Sequence, residues 1–131
     1  MFNIATYLAP SGIHGIGVFA AERVRAGTII WEFTDAVDWR LDGSDLAAFP
    51  EPYQGMLRHY CYHEPDGTYV LCGDNARFMN HADLPNCDDP EGPITVANRD
   101  IEPGEELTCD YRSFDIDWAA AGGPSLAAAA T

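Results

Sequence analysis

The segment Glu64-Pro65-Asp66-Gly67 constrains this chain more than any other stretch of its length. Proline presets φ for the first corner of a type I turn, and glycine takes the left-handed position that follows. The flanking residues must then run antiparallel, giving a hairpin from Tyr60 to Cys72 with Tyr60 opposite Cys72 and Tyr62 opposite Val70. Side chains alternate faces along a strand. Tyr60 and Tyr62 are therefore expected on one face, and His59, Cys61 and His63 on the other.

The rest of the chain also reads as short strands. Ile13 to Phe19 is apolar and punctuated by glycine, and Thr28 to Phe33 is a β-branched and aromatic run typical of a buried strand. Val24-Arg25-Ala26-Gly27 between them reads as a tight turn. Asp42-Gly43-Ser44-Asp45 offers helix N-cap residues, and Leu46, Phe49, Tyr53, Met56 and Leu57 follow at helical spacings, with Pro50 and Pro52 breaking any long helix. Ile94 to Ala97 and Glu106 to Cys109 are further strands, linked through a turn at Glu102-Pro103-Gly104. With 131 residues, 47% hydrophobic, the chain is expected to be a single, mostly β domain over residues 1–118, with a frayed Ala- and Gly-rich tail over 119–131. There is no internal repeat.

The formal charge is −14, and all seven basic residues are arginines. Such a surface repels phosphate backbones and anionic headgroups, which argues against direct nucleic-acid or membrane binding and for a cationic partner. No stretch approaches the roughly 20 apolar residues of a membrane span, and no signal-peptide pattern opens the chain. The four cysteines form no CxxC pair, so free thiols in a reducing cytoplasm are expected.

Four features carry chemistry-bearing residues. Gly15-Ile16-Gly17-Val18-Phe19-Ala20 fits G-x-G-x-x-A, but no amphipathic helix follows, which leaves a plain turn or a backbone loop closely approached by a ligand. The set His59, Cys61 and His63 has metal-ligand types, but a tetrahedral zinc needs a fourth ligand and none is evident, so no metal is expected. Arg77 to Asn86 places Asn80 and His81 directly after apolar Phe78 and Met79, where polar groups need partners that a ligand can supply. Asp100 to Tyr111 surrounds a Pro-Gly turn with acids and ends on a tyrosine.

In this order the features resemble the SET domain, a family of S-adenosylmethionine-dependent protein-lysine methyltransferases. Gly15 to Ala20 is similar to the family's first motif. Gly73-Asp74-Asn75-Ala76-Arg77-Phe78-Met79-Asn80-His81, continued by Pro85-Asn86, resembles its "G-N-x-A-R-F-x-N-H" segment, and Ile101 to Leu107 with Asp110-Tyr111 resembles "I-x-P-G-E-E-L-T-x-D-Y". The resemblance implies small, mostly antiparallel sheets of the β-clip kind with a threaded pseudoknot and a short helical insert. No cysteine cluster follows Tyr111, so the likeness is to minimal bacterial and viral SET proteins without a zinc post-SET module.

The resemblance also implies roles. Gly15, Ile16, Gly17, Asn80 and His81, with Arg77 as an additional contact, would hold S-adenosylmethionine, and Trp118 or Phe114 would cover its adenine. Tyr60, Tyr62 and Cys109 would line the lysine channel, and Tyr111 would stand at the transfer point as the catalytic residue. The substrate would be a basic, histone-like protein tail, a homodimer is left open, and the absence of lysine suits a protein that cannot modify itself. Two positions depart from the pattern. Asp83 stands where many members have cysteine, and Cys109 stands where phenylalanine or tyrosine is usual, which implies a roomier site able to add more than one methyl. Three alternatives remain at this stage: a non-catalytic SET-like partner-binding module, a metal-binding or structural protein using His59, Cys61 and His63, and a methyltransferase acting on a small molecule.

Overall fold

In a computed structural model, residues 1–115 are described; the tail at 119–131 and Trp118 lie outside them. In chain order the elements are β1 (Thr6–Pro10), β2 (Ile16–Ala20), β3 (Ile29–Glu32), β4 (Trp39–Leu41), α1 (Gly43–Ala47), α2 (Glu51–Tyr60), β5 (Tyr62–His63), β6 (Tyr69–Leu71), a 3₁₀ turn at Asn75–Phe78, β7 (Asn80–His81), β8 (Cys87–Asp88), β9 (Ile94–Ala97), β10 (Thr108–Cys109) and a second 3₁₀ turn at Tyr111–Ser113. Among the described residues the strands form small two- and three-stranded sheets: β1 with β2, β3–β9–β8, β4–β6–β5, and β7 with β10.

The first glycine motif lies on an antiparallel hairpin. Leu8 pairs with Val18 and Ala9 with Gly17, and Gly15 turns the chain with φ of 46°. A strand–helix crossover is absent there, which removes the dinucleotide-binding reading. A Cβ on Gly17 would stand 2.5 Å from Glu106 Oε2, so this glycine answers to packing inside the protein.

Proline acts differently in the insert than the sequence led one to expect. The Asp42 carboxylate accepts from the Asp45 N–H (2.8 Å) and the Asp45 carboxylate from the Asp42 N–H (2.9 Å), a reciprocal cap that starts α1. The helices part at Pro50, but Pro50 and Pro52 then sit in the cap and first turn of α2, where no N–H is required. The second helix therefore runs for ten residues and absorbs His59 and Tyr60.

That corrects the hairpin at its near end. Tyr62 does face Val70, and the Glu64–Gly67 turn closes as expected with Gly67 at φ 90°. Tyr60, however, is the last residue of α2, and the Cys61 N–H donates to the Leu57 carbonyl (2.7 Å). Tyr60 and Tyr62 do not share a strand face, nor do His59, Cys61 and His63, because the helical ladder continues until the hairpin begins.

The threaded crossing lies where β7 runs parallel to β10, Asn80 beside Thr108 and His81 beside Cys109. On the opposite side the Leu107 N–H donates to the Val18 carbonyl (2.8 Å), so residues 106–109 pass between β2 and the 80–86 segment. Ile30, Ile101, Leu107, Val18 and Cys87 are fully buried around this crossing. The apolar members of the Ile101–Leu107 motif are thus core, and Gly104 (φ 88°) makes the turn between them.

Gly73 opens the second motif for a steric reason. A Cβ there would lie 1.8 Å from the backbone oxygen of Val37, in a loop tied down by buried Asp38, which accepts from the Gly73 N–H (3.0 Å) and the Thr34 N–H (3.0 Å). Gly73→Ala is expected to destabilise the fold by about 2–3 kcal/mol through overpacking against backbone. Denaturant unfolding would show a lower midpoint with an unchanged slope.

Candidate active site

Beside the crossing lies a groove of about 1200 Å³, roomier than most small-ligand sites. Aromatic rings line it in sequence. Tyr60 meets Phe78 edge-on at 5.5 Å, Tyr62 meets Phe114 at 5.1 Å, and Phe114 meets Tyr111 at 5.7 Å. Tyr60 thus reaches the groove from the end of a helix and Tyr62 from a strand. Of the other residues singled out in the sequence, Gly15, Ile16, Arg77, Asn80 and Cys109 line the groove, whereas Gly17 and His81 do not.

Asn80 ties three segments together. Its Nδ2 donates to Glu106 Oε2 (2.9 Å) and to the carbonyls of His14 (3.0 Å) and Ile16 (3.3 Å). The Ser11 hydroxyl approaches both oxygens of the same Glu106 carboxylate (2.7 and 2.9 Å). The glycine loop is therefore held in place by an amide and a charge-assisted hydrogen bond from the crossing. Arg77 donates through Nε to the Cys72 carbonyl (3.1 Å), with its guanidinium 5.8 Å from the Tyr60 ring centroid.

Tyr111 is fixed from two sides. Its hydroxyl donates to the Met79 carbonyl, and its backbone N–H donates to His81 Nδ1 (3.1 Å). Because Nδ1 accepts, the neutral imidazole carries its proton on Nε2 and gives it to Asp83 Oδ1 (3.1 Å). His81 thus holds the backbone of Tyr111. Burial pushes the Tyr111 hydroxyl well above its ordinary value, with the Cys109 thiol and Asp115 adding to the shift. Burial likewise raises the Cys109 thiol, and Asp89 is the largest charge acting on it.

These features meet known proteins over most of the chain. Residues 15–112 match the SET domain. The chain belongs to the SET domain family. It is 33% identical to histone-lysine N-methyltransferase ATX2 of Arabidopsis thaliana over 82% of this chain and 11% of that protein, and 33% identical to histone-lysine N-methyltransferase 2D of Homo sapiens over 85% of this chain and 2% of that protein. The chain thus spans about a tenth or less of these relatives. Among solved structures, a Plasmodium falciparum putative histone methyltransferase superposes with a TM-score of 0.59 at 20% identity, covering 83% of this chain and 94% of that one, which shows the fold.

Within this SET domain, Asp83 has a defined local task. It accepts from His81 and lies 3.6 Å from the Arg112 guanidinium, which itself binds Asp110 through two 2.9 Å contacts. An ion pair thus occupies the position at which cysteine is usual. In the sequence Glu106 and Asn86 stand only as letters of their motifs. Both prove to be structural clasps, and the signal for them was an acid and an amide beside buried apolar residues. Asp89 was missed altogether.

Asn86 is 2% exposed; it donates through Nδ2 to the Glu106 carbonyl (2.8 Å) and accepts at Oδ1 from the Thr108 N–H (2.9 Å). Asn86→Ala strands both backbone groups, at about 1–3 kcal/mol each. Thermal unfolding should come earlier, and amide exchange at Thr108 and Tyr111 should accelerate ahead of the remainder of the fold.

Proposed function

We propose that this SET domain transfers methyl groups from S-adenosylmethionine to the ε-amine of lysine in a basic protein tail. One observation carries the reading: a single groove brings together the Gly15–Ile16 backbone, Asn80, an aromatic wall and the clamped Tyr111. Membership of a family whose matched relatives are histone-lysine methyltransferases supports it.

The residues present fit S-adenosylmethionine. The groove has room for a nucleoside and an alkyl chain, and buried Trp31 Nε1 and His59 Nδ1 lack hydrogen-bond partners among the described residues of its lining. Gly15, Ile16 and Asn80 would hold the amino-acid end and Arg77 would assist; Phe114 is a described candidate for ring contact. When bound, the cofactor supplies a methyl group on a positively charged sulfur.

The chain's own residues supply alignment. Tyr60 and Tyr62 would give the lysine stem an apolar and aromatic path that excludes water. Tyr111, neutral and with its hydrogen committed to Met79, offers only oxygen lone pairs to weak C–H donors and to the arriving amine. His81 and Asp83 keep it there. Near-attack geometry of this kind accounts for a large share of the barrier lowering in group transfer. The −14 charge favours encounter with cationic tails.

Two outcomes are expected. Calorimetric titration of S-adenosylmethionine should give saturable one-to-one binding to the wild type and much weaker binding to Asn80→Ala, whereas Tyr111→Phe should bind normally and lose about 10²-fold in transfer rate. Absence of binding by the folded wild type would remove the enzyme reading. Cys109 is small, buried and in the groove lining, so the wild type should add more than one methyl and Cys109→Phe fewer. Intact-mass analysis of a methylated histone H3 tail peptide reads this directly, and strictly monomethyl product from the wild type would refute it.

A further inference from the structure

A lysine arrives as an ammonium and must leave its proton somewhere before it can accept a methyl. Tyr111 is a poor recipient, because its own hydroxyl stays protonated and points its hydrogen at Met79. The groove lining holds a carboxylate with one buried oxygen unpartnered among the described residues. Asp89 follows β8 and lines the groove; its Oδ1 accepts from the Thr95 hydroxyl (2.7 Å), while its buried Oδ2 has no hydrogen-bond partner among the described residues. A buried carboxylate oxygen left without a donor is rare and costly in a folded protein.

Asp89 lines the same groove as Cys109 and Tyr111. Thr95 lies opposite Trp31 across the β3–β9 ladder, and Trp31 also lines the groove. The Asp89 carboxylate acts on the Cys109 thiol more strongly than any other charge does, and Cys109 is two residues before Tyr111. The other titratable groups that act with or on it are Cys87 and Asp88 from β8, Cys109 from β10, and Asp110. Asp88 is itself exposed and engaged by the Asn98 amide (2.9 Å). No basic side chain forms an ion pair with Asp89 among the described residues, so an incoming cation would be its first.

We infer that Asp89 is the proton acceptor of this groove, its Oδ2 taking a proton from the ε-ammonium of the substrate lysine. The inference rests on the lysine-methyltransferase reading above. One N–H bond breaks and one O–H bond forms at Oδ2. The electron pair stays on nitrogen, where it would form the bond to the methyl as the sulfur–methyl bond of S-adenosylmethionine breaks and its pair goes to sulfur. Carboxylate and ammonium become acid and amine, so charge is conserved in the proton step.

Burial makes the transfer accessible. Free lysine and aspartate differ by about 6.5 pH units. Desolvation, with repulsion from Asp88 and Asp110, lifts Asp89 to about 6, and burial of the lysine stem lowers the amine from its own side. The two affinities converge, because a dry groove favours the neutral pair over the ion pair. The sign follows. Below about pH 6 Asp89 is already protonated and cannot accept, so transfer should fall on the acid side. The raised value also means that ionising Asp89 weakens the fold as pH rises through this range, so Asp89→Asn should melt no earlier than wild type at pH 7.

The test measures kcat and kcat/KM for a histone H3 tail peptide with S-adenosylmethionine between about pH 5 and 10, for wild type, Asp89→Asn and Asp89→Ser. The wild type should show an acid limb near pH 6. Both variants should lose that limb, fall about 10²-fold in kcat at pH 7, and recover as the medium deprotonates the amine. A merely structural role would lower the rate equally at every pH. Without cofactor, the Asp89 carboxyl carbon should titrate near 6 by NMR and respond to n-butylammonium, a response absent in the variants. Wild-type kinetics and an unchanged acid limb in both variants, or a carboxyl that titrates as an ordinary aspartate, would overturn the role of Asp89 alone. A wild type that binds S-adenosylmethionine yet modifies no peptide lysine would overturn the methyltransferase reading and this inference with it.

Discussion

Everything in the groove depends on a crossing that backbone ladders alone are too short to hold. β7 and β10 contribute two residues each, and a parallel pair of that length has little stability of its own. Side-chain amides complete it. Asn86 bridges Glu106 and Thr108 like an extra strand, and Asn80 reaches through the crossing to the glycine loop and to Glu106. These bonds are buried or partly buried, so a lost partner leaves a poorly satisfied group behind it. The Asn80 amide that helps hold the topology also sets the position of the loop at residues 14–16, which couples stability to site geometry here.

How much of this was legible in the sequence depended on the range over which the deciding interaction acts. The Glu64–Gly67 turn, the Asp42 cap and the Gly27 turn are settled within four or five residues, and they form as read. The end of α2 is decided by competition: the helix ladder from Leu57 to Cys61 outcompetes an extended strand, and the prolines that looked like breakers lie in the first turn, where they cost nothing. That competition moved Tyr60 from strand to helix, yet Tyr60 still lines the groove, because Phe78 packs against it from the far side. The motif residues Asn80 and Tyr111 were legible through resemblance, while their partners were not. Nothing local to Gly17 announces Glu106, which lies far away in the chain and is brought there only by threading.

Asp89 shows why a buried acid escapes a reading of composition. In a chain with 21 acidic residues, one more in Cys87-Asp88-Asp89-Pro90 reads as surface. Alternation along β8 and the step into the following loop separate Asp88, which faces solvent, from Asp89, which turns toward Thr95 and the groove. The distinction is invisible in charge counts and plain in burial.

The groove thereby divides its work between groups whose environments push them apart. His81, relayed to Asp83 and Arg112, fixes the backbone of Tyr111; Met79 fixes its hydroxyl; and burial keeps that hydroxyl neutral, an orienting acceptor and not a base. If Asp89 accepts the substrate's proton, that task falls to a different residue, raised by the same desolvation to about 6. Cys109 lies between the two in sequence, and its small side chain lines the same groove. An aromatic residue at 109 would take up more of that space. The departure from the family pattern at Cys109 and the acid at Asp89 thus belong to the lining of one groove.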